Sequence, residues 1–172
     1  MKTLTLRPSV KNPRLWFPER ADKTAWNKLR EKMLARDDYT CRFCGHRAEK
    51  YMQAHHVKDS GDDSLKNLVT YCVACHAVNH FGRNLVLGVV EIWQSPVSQV
   101  EIVRTTRAGI KAGKTLAQIK KGLKLKKGPH APDSLDYANS IIEVDSASHT
   151  FSLDEPLSVV FVALKRWQLD DE

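Results

Sequence analysis

The chain has 172 residues, of which 42% are hydrophobic and 27% charged, with a formal net charge of +7. That length suits one compact domain of roughly 100 to 200 residues, which excludes a large multidomain assembly, and the apolar share excludes wholesale disorder. The longest uninterrupted apolar stretch near the C-terminus, Val159 to Leu164, is far short of the ~20 residues that span a bilayer, and the N-terminus lacks a signal-peptide apolar region. The expectation is therefore a cytoplasmic protein without membrane insertion.

In chain order, residues 1–23 hold Pro8, Pro13 and Pro18 among scattered basic residues and read as an extended arm, with room for a strand at Leu4–Arg7. Thr24 reads as an N-cap, after which Trp26, Leu29, Met33 and Leu34 recur at helical spacing until Asp37-Asp38 ends the pattern. Tyr51–Val57 suits a short strand and Ala74–Phe81 a helix; Gly82 breaks the chain, and Leu85–Trp93, rich in Val, Leu and Ile, reads as a strand. Ser95-Pro96 resembles an N-cap followed by proline at the first helical position, opening a helix through about Arg107. A second helix is expected from Lys114 or Thr115 to Lys124, then a flexible linker at LKLKKGPH. Ser134–Val144 and Glu155–Gln168 read as two further helices. The second has Leu157, Val160, Phe161, Leu164 and Trp167 on one stripe, which is either core or a docking face for a protein partner. The run Gly109 to Thr115 superficially resembles a phosphate-binding P-loop, but it has three residues between its glycines where four are needed, and it follows a helix.

Charge is blocked along the chain. Residues 104–132 carry +9 with no acid, and residues 133–172 carry −7. Arg104, Arg107, Lys111, Lys114, Lys120, Lys121, Lys124, Lys126 and Lys127 make either a phosphate-contacting arm or a segment neutralised by the acidic one that follows.

All four cysteines fall in two pairs, Cys41-x-x-Cys44 and Cys72-x-x-Cys75, separated by 27 residues. Each two-residue gap forms a knuckle that presents both sulfurs to one ion, so the set reads as a tetrahedral structural zinc site. A disulfide pair or a redox CxxC is the alternative, but a redox motif does not explain two copies at this spacing. Closed four-thiolate coordination leaves no position for substrate, so such an ion holds the segment together and does no chemistry.

Between and after the knuckles stand His55-His56, Asn67, His76 and His80. In a strand, His55 and His56 project to opposite faces and suit two different jobs. In a helix, His76 and His80 share a face, so His55, His76 and His80 can meet at one metal. His46, after the first knuckle, reads as a surface residue, and Asn67 on its own can simply cap the turn before Leu68.

The run RDDYTCRFCG, the following AHHV, Asn67 in NLVTYC and the segment CVACHAVNH resemble the zinc-knuckle HNH endonucleases over about residues 24–84. The resemblance implies a ββα-metal fold, with His56 as the general base that deprotonates water and Asn67 holding the loop that orients it. It also implies His55, His76 and His80 as ligands of a second, catalytic divalent ion, with DNA as substrate. Where many members of that family have Asp before the base, this chain has His55, which favours Zn, Ni or Mn over magnesium. The whole-chain expectation is α+β: an arm at 1–23, a small ββα-metal (HNH) module with a four-cysteine zinc site at 24–84, and a strand plus mostly helical region at 85–172.

The layout of lead-in helix, knuckle, strand near 85–93 and helical C-terminal half also resembles the HNH-like subunit of type IVB (Dot/Icm-like) secretion and conjugation coupling complexes. That resemblance implies a non-catalytic zinc scaffold. In that family the catalytic histidines are largely replaced, whereas this chain keeps His55, His56, Asn67, His76 and His80. A nucleic-acid-binding zinc module without catalysis is the third reading, for which the basic segment is the main support.

Overall fold

The computed structural model describes residues 22–58, 62–140 and 157–163, together with Leu6 and Pro8. The first helix, α1 (Lys23–Arg36), is capped by Asp22, whose carboxylate accepts the N–H groups of Thr24 and Ala25 at 2.9 Å. Thr24, expected as the cap, is the second helical residue. A carboxylate two positions earlier is the stronger acceptor and also complements the positive end of the helix dipole. Met33 and Leu34 bury the inner face of α1, and Asp38 and Tyr39 then take positive φ, turning the chain sharply into the first knuckle.

The end of α1 is tied to the hairpin made by β1 (Gln53–His56) and β2 (Leu68–Tyr71), which pair antiparallel with His55 opposite Val69 and His56 opposite Leu68. Arg36 donates to the carbonyls of Leu65 and Leu68, and the Asp37 carboxylate accepts Arg36 at 2.8 Å and the Thr70 N–H at 3.0 Å. Burial by itself would raise the Asp37 carboxyl, but the hydrogen bonds from Arg36 and Thr70 outweigh it and hold the group below its ordinary value. A depressed folded-state pKa contributes stability that is complete above the unfolded value and is lost as pH falls through the folded one. Unfolding midpoints in urea should therefore fall on acidification below about pH 4, and the fall should be shallower in Asp37→Asn. An identical pH dependence in the two proteins would remove Asp37 from this role.

From β2 the chain enters α2 (Val73–Asn79) and, after a break at His80, α3 (Phe81–Val86). The expected helix Ala74–Phe81 is thus two helices, and Gly82, expected to break the chain, lies buried inside the second. The break is satisfied by Asn84, whose amide donates to the carbonyls of His80 and Ala77. Gly88, at φ +63°, turns the chain into β3 (Val90–Trp93). Leu85 and Val86 are therefore helical, not part of the strand expected over Leu85–Trp93, and Leu85 packs in the core.

The largest departure lies at the C-terminal end. Residues 158–161, expected to be helical within Glu155–Gln168, form β4 (Ser158–Phe161), antiparallel to β3 with Val90 opposite Phe161. The run Leu157 to Phe161 is buried throughout, so it reads equally as one face of a helix or as a strand covered on both sides; the β-branched Val159 and Val160 suit the latter. The free edge of β4 is closed by Gln99, whose side chain donates to the Val159 carbonyl at 2.9 Å and accepts its N–H at 2.8 Å. Leu157, Val160 and Phe161 belong to the core and offer no docking face; Leu164 and Trp167 lie outside the described residues. Among the described residues the C-terminal region is accordingly less helical than expected.

Gln99 opens α4 (Gln99–Lys111), capped by Ser98, whose hydroxyl accepts the Glu101 N–H. Ser95, expected to cap this helix, instead donates to the Leu123 carbonyl at 2.7 Å, and the helix runs past Arg107 to Lys111. Next comes α5 (Leu116–Gly122), with Thr115 and Gln118 forming a capping box. The stretch expected as a flexible linker is tied down at the end of β3, where Gln94 and Lys126 exchange two backbone bonds, and just beyond it the Pro132 carbonyl accepts the Ile92 N–H at 2.8 Å. Residues 135–140 are helical; the remainder of the expected helix to Val144, and the arm apart from buried Leu6 and half-buried Pro8, lie outside the described residues. Among the described residues no helix is long and apolar enough to cross a membrane.

The helices α4 and α5 meet at Gly109, where an added Cβ would lie 2.5 Å from Cγ1 and 2.6 Å from Cδ1 of Ile119. Alanine would raise helix propensity by roughly 0.5–1 kcal/mol, but overpacking costs about 1–3 kcal/mol. Gly109→Ala should lower the urea midpoint at unchanged slope, a net loss of about 1 kcal/mol. A raised midpoint would mean that Ile119 moves aside without cost. A single buried cluster unites Met33, Leu34, the four cysteines, Phe81, Ile92, Val103 and Phe161, so the zinc-knuckle segment and the second sheet share one core.

Candidate functional site

Two clusters of metal-ligating side chains lie on this frame. In the first, Cys41 and Cys44 come from a turn held by the Cys41 N–H on the His46 carbonyl at 2.8 Å and by Gly45 at φ +75°. Cys72 is the N-cap of α2 and Cys75 lies in its first turn. All four are buried, and their sulfurs lie within 4.8 Å of one another, Cys44 to Cys72 being 3.5 Å. A tetrahedron with metal–sulfur bonds of about 2.3 Å has edges near 3.8 Å, so the cluster fits one zinc-sized ion. A disulfide would unite only two of the four. Electrostatics agree: hydrogen bonds from Cys44, Cys72 and Cys75 push the Cys41 thiol down, and Cys44 is lowered as well by Cys72 and Cys75 although Cys41 and burial oppose it, whereas Cys72 and Cys75, with Cys41 the largest cause for each, are pushed up. Negative charge on two sulfurs forces the other two to keep their protons, and only a cation at the centre lets all four ionise.

In the second cluster His55 comes from β1, His76 from α2 and His80 from the break between α2 and α3, with their ring nitrogens within 4.8 Å of one another. The His76 and His80 ring centroids are 4.4 Å apart, and those of His55 lie 5.7 and 5.8 Å from them. Burial, and then the charges of His80 and Arg83, push His76 down to about 3, so it is a neutral lone-pair donor at pH 7. Tyr71 links the clusters. Its ring stacks on His55 at 4.3 Å, and burial first, then the charges of Cys75 and Cys41, raise its hydroxyl.

His56, the next residue of β1, projects to the other face. It is buried, its Nε2 lies 2.7 Å from Asp63 Oδ1, and Trp26 of α1 stacks parallel to it at 6.1 Å. Asn67 fastens the loop that carries Asp63: its Oδ1 accepts the Lys58 N–H, and its amide donates to the carbonyls of Lys58 and Asp62. It clamps both ends of this loop, a larger task than capping one turn. His46 is half-buried, and its carbonyl serves the knuckle.

Two contacts escaped the sequence reading. Asn79, whose amide lies 3.0 Å from His55 Nε2, was marked only by falling three residues after His76 on the same helix face. For Asp63 the signal was weaker still. Asp62 and Asp63 are adjacent, and only the folded path of the chain selects the one that meets His56. Compared with protein-family models and with curated proteins, the chain matches none.

Proposed function

We propose that this chain is a metal-dependent endonuclease of the HNH type that hydrolyses DNA phosphodiester bonds, with a structural zinc on Cys41, Cys44, Cys72 and Cys75. The observation that carries the reading is the division of labour along β1, where His55 joins His76 and His80 while adjacent His56 is held separately by Asp63. The three imidazoles suit a borderline ion such as Zn or Ni better than magnesium, which prefers oxygen ligands. When bound there, a divalent ion supplies charge stabilisation for the phosphate and the leaving oxygen.

The protein's own part is to hold and move a proton. The Asp63 carboxylate accepts from His56 Nε2 and so orients the imidazole, which takes a proton from water. The hydroxide so formed attacks phosphorus, the bond to the leaving sugar oxygen breaks, and that oxygen takes a proton from solvent. Trp26 and the loop clamped by Asn67 limit the orientations open to the imidazole. The test is nicking of supercoiled plasmid by the zinc-loaded protein across Mg, Mn, Ni and Zn. Nicking under at least one ion supports the reading. A folded, zinc-loaded protein that cuts under none would replace it with the non-catalytic scaffold of secretion or conjugation complexes.

A further inference from the structure

Outside both clusters, α4 carries a cationic face. Arg104, Arg107 and Lys111 recur at intervals of three and four residues and so share one side of the helix. That side lies against the turn Cys44–His46, and between them is a cavity of about 300 Å³ lined by these three cations and His46, with no Asp or Glu among its described lining residues. Arg104 donates from Nε to the Cys44 carbonyl at 3.0 Å, which fixes the helix against the knuckle. This bond also places a cation beside a tetrathiolate site whose four sulfurs leave about two negative charges around a dication. Arg107 and Lys111 continue the face beyond that contact, with Lys111 exposed.

We infer that this cavity between the first knuckle and α4 is a binding site for the phosphodiester backbone of duplex DNA, with Arg107 and Lys111 as its phosphate-contacting residues. The choice of DNA as the polyanion rests on the nuclease reading; the cationic cavity does not. Backbone contacts of this kind carry no base information and hold the duplex in place while chemistry proceeds elsewhere. Guanidinium suits the task because its fork matches two phosphate oxygens, and the flexible ammonium of Lys111 adds a movable point charge.

The test is fluorescence anisotropy of a labelled duplex of about 20 base pairs over a salt series, without added divalent ion, with plasmid nicking run in parallel. The full chain is compared with Arg107→Gln/Lys111→Gln and with Lys111→Glu, zinc content and melting temperature being checked for each. Each phosphate contact contributes about 1 to the slope of log affinity against log salt, so the double variant should bind more weakly with a slope smaller by about 2. Lys111→Glu changes only an exposed side chain and tests the site even if the double variant fails to fold; its slope should fall by at least about 1. Zinc-loaded variants that bind with the wild-type slope would overturn the inference, as would a wild-type chain that does not hold the duplex. Nicking separates the two readings: a chain that binds through Lys111 without cutting keeps the site and loses the nuclease, and the reverse result does the opposite.

Discussion

His56→Ala is expected to abolish metal-dependent nicking while leaving the fold and the tetrathiolate ion in place. A positioned general base contributes typically 10²–10⁴-fold, and His56 is the imidazole held by Asp63. The substitution removes a ring stacked on Trp26, so some stability is lost with it. Zinc content and a thermal melt therefore accompany the activity measurement. Asp63→Asn is the informative companion: the amide oxygen can still accept from Nε2, but the negative charge that holds the proton there is gone. Its activity should fall less than that of His56→Ala, and its structural zinc should be unchanged. Wild-type nicking by zinc-loaded His56→Ala would remove the base from His56 altogether.

The second large effect is expected at the cysteines. Cys72→Ser, or removal of the structural ion by a chelator, should abolish the cooperative thermal transition and the near-ultraviolet dichroism of the core aromatics. Structural zinc contributes on the order of 10–16 kcal/mol in small zinc modules, which equals or exceeds the 5–15 kcal/mol that stabilises a typical domain. Here the loss is not confined to the knuckles, because the cysteines sit in the same buried cluster as Met33, Phe81, Ile92 and Phe161. His76→Ala is the contrast. It should lower binding of a second ion and leave the tetrathiolate ion and the melt largely intact, since His76 is not among the buried apolar residues that make up the core. A Cys72→Ser protein that melts as the wild type does, with the same zinc stoichiometry, would show that the cluster holds no structural ion.

Much of the candidate site could be read along the chain because its members are near neighbours governed by local geometry. Two residues between cysteines make a knuckle, alternation in a strand separates His55 from His56, and a spacing of four puts His76 and His80 within reach of one ion even though the helix breaks at His80. The helices α1 and α5 were legible for the same reason, each having apolar spacing and a capping residue close to the expected end. What escaped was either a choice between similar local signals or a long-range pairing. Ser95 and Ser98 are both good caps, and the chain uses Ser98 because the Leu123 carbonyl engages Ser95.

By itself, then, the sequence determined the ligand-bearing knuckles, the paired histidines and the helices that flank them, since each depends on spacings of two to four residues that backbone geometry converts directly into direction. Only the tertiary structure decided that Asp63 meets His56, that Asn79 meets His55, and that Ser158–Phe161 is a strand rather than a helix. The run Leu157–Phe161 is buried in either conformation, so its apolar pattern could not choose. Its state was settled by the backbone of β3, some 65 residues earlier, and by the Gln99 amide, which together satisfy hydrogen bonds that a helix would have kept within itself.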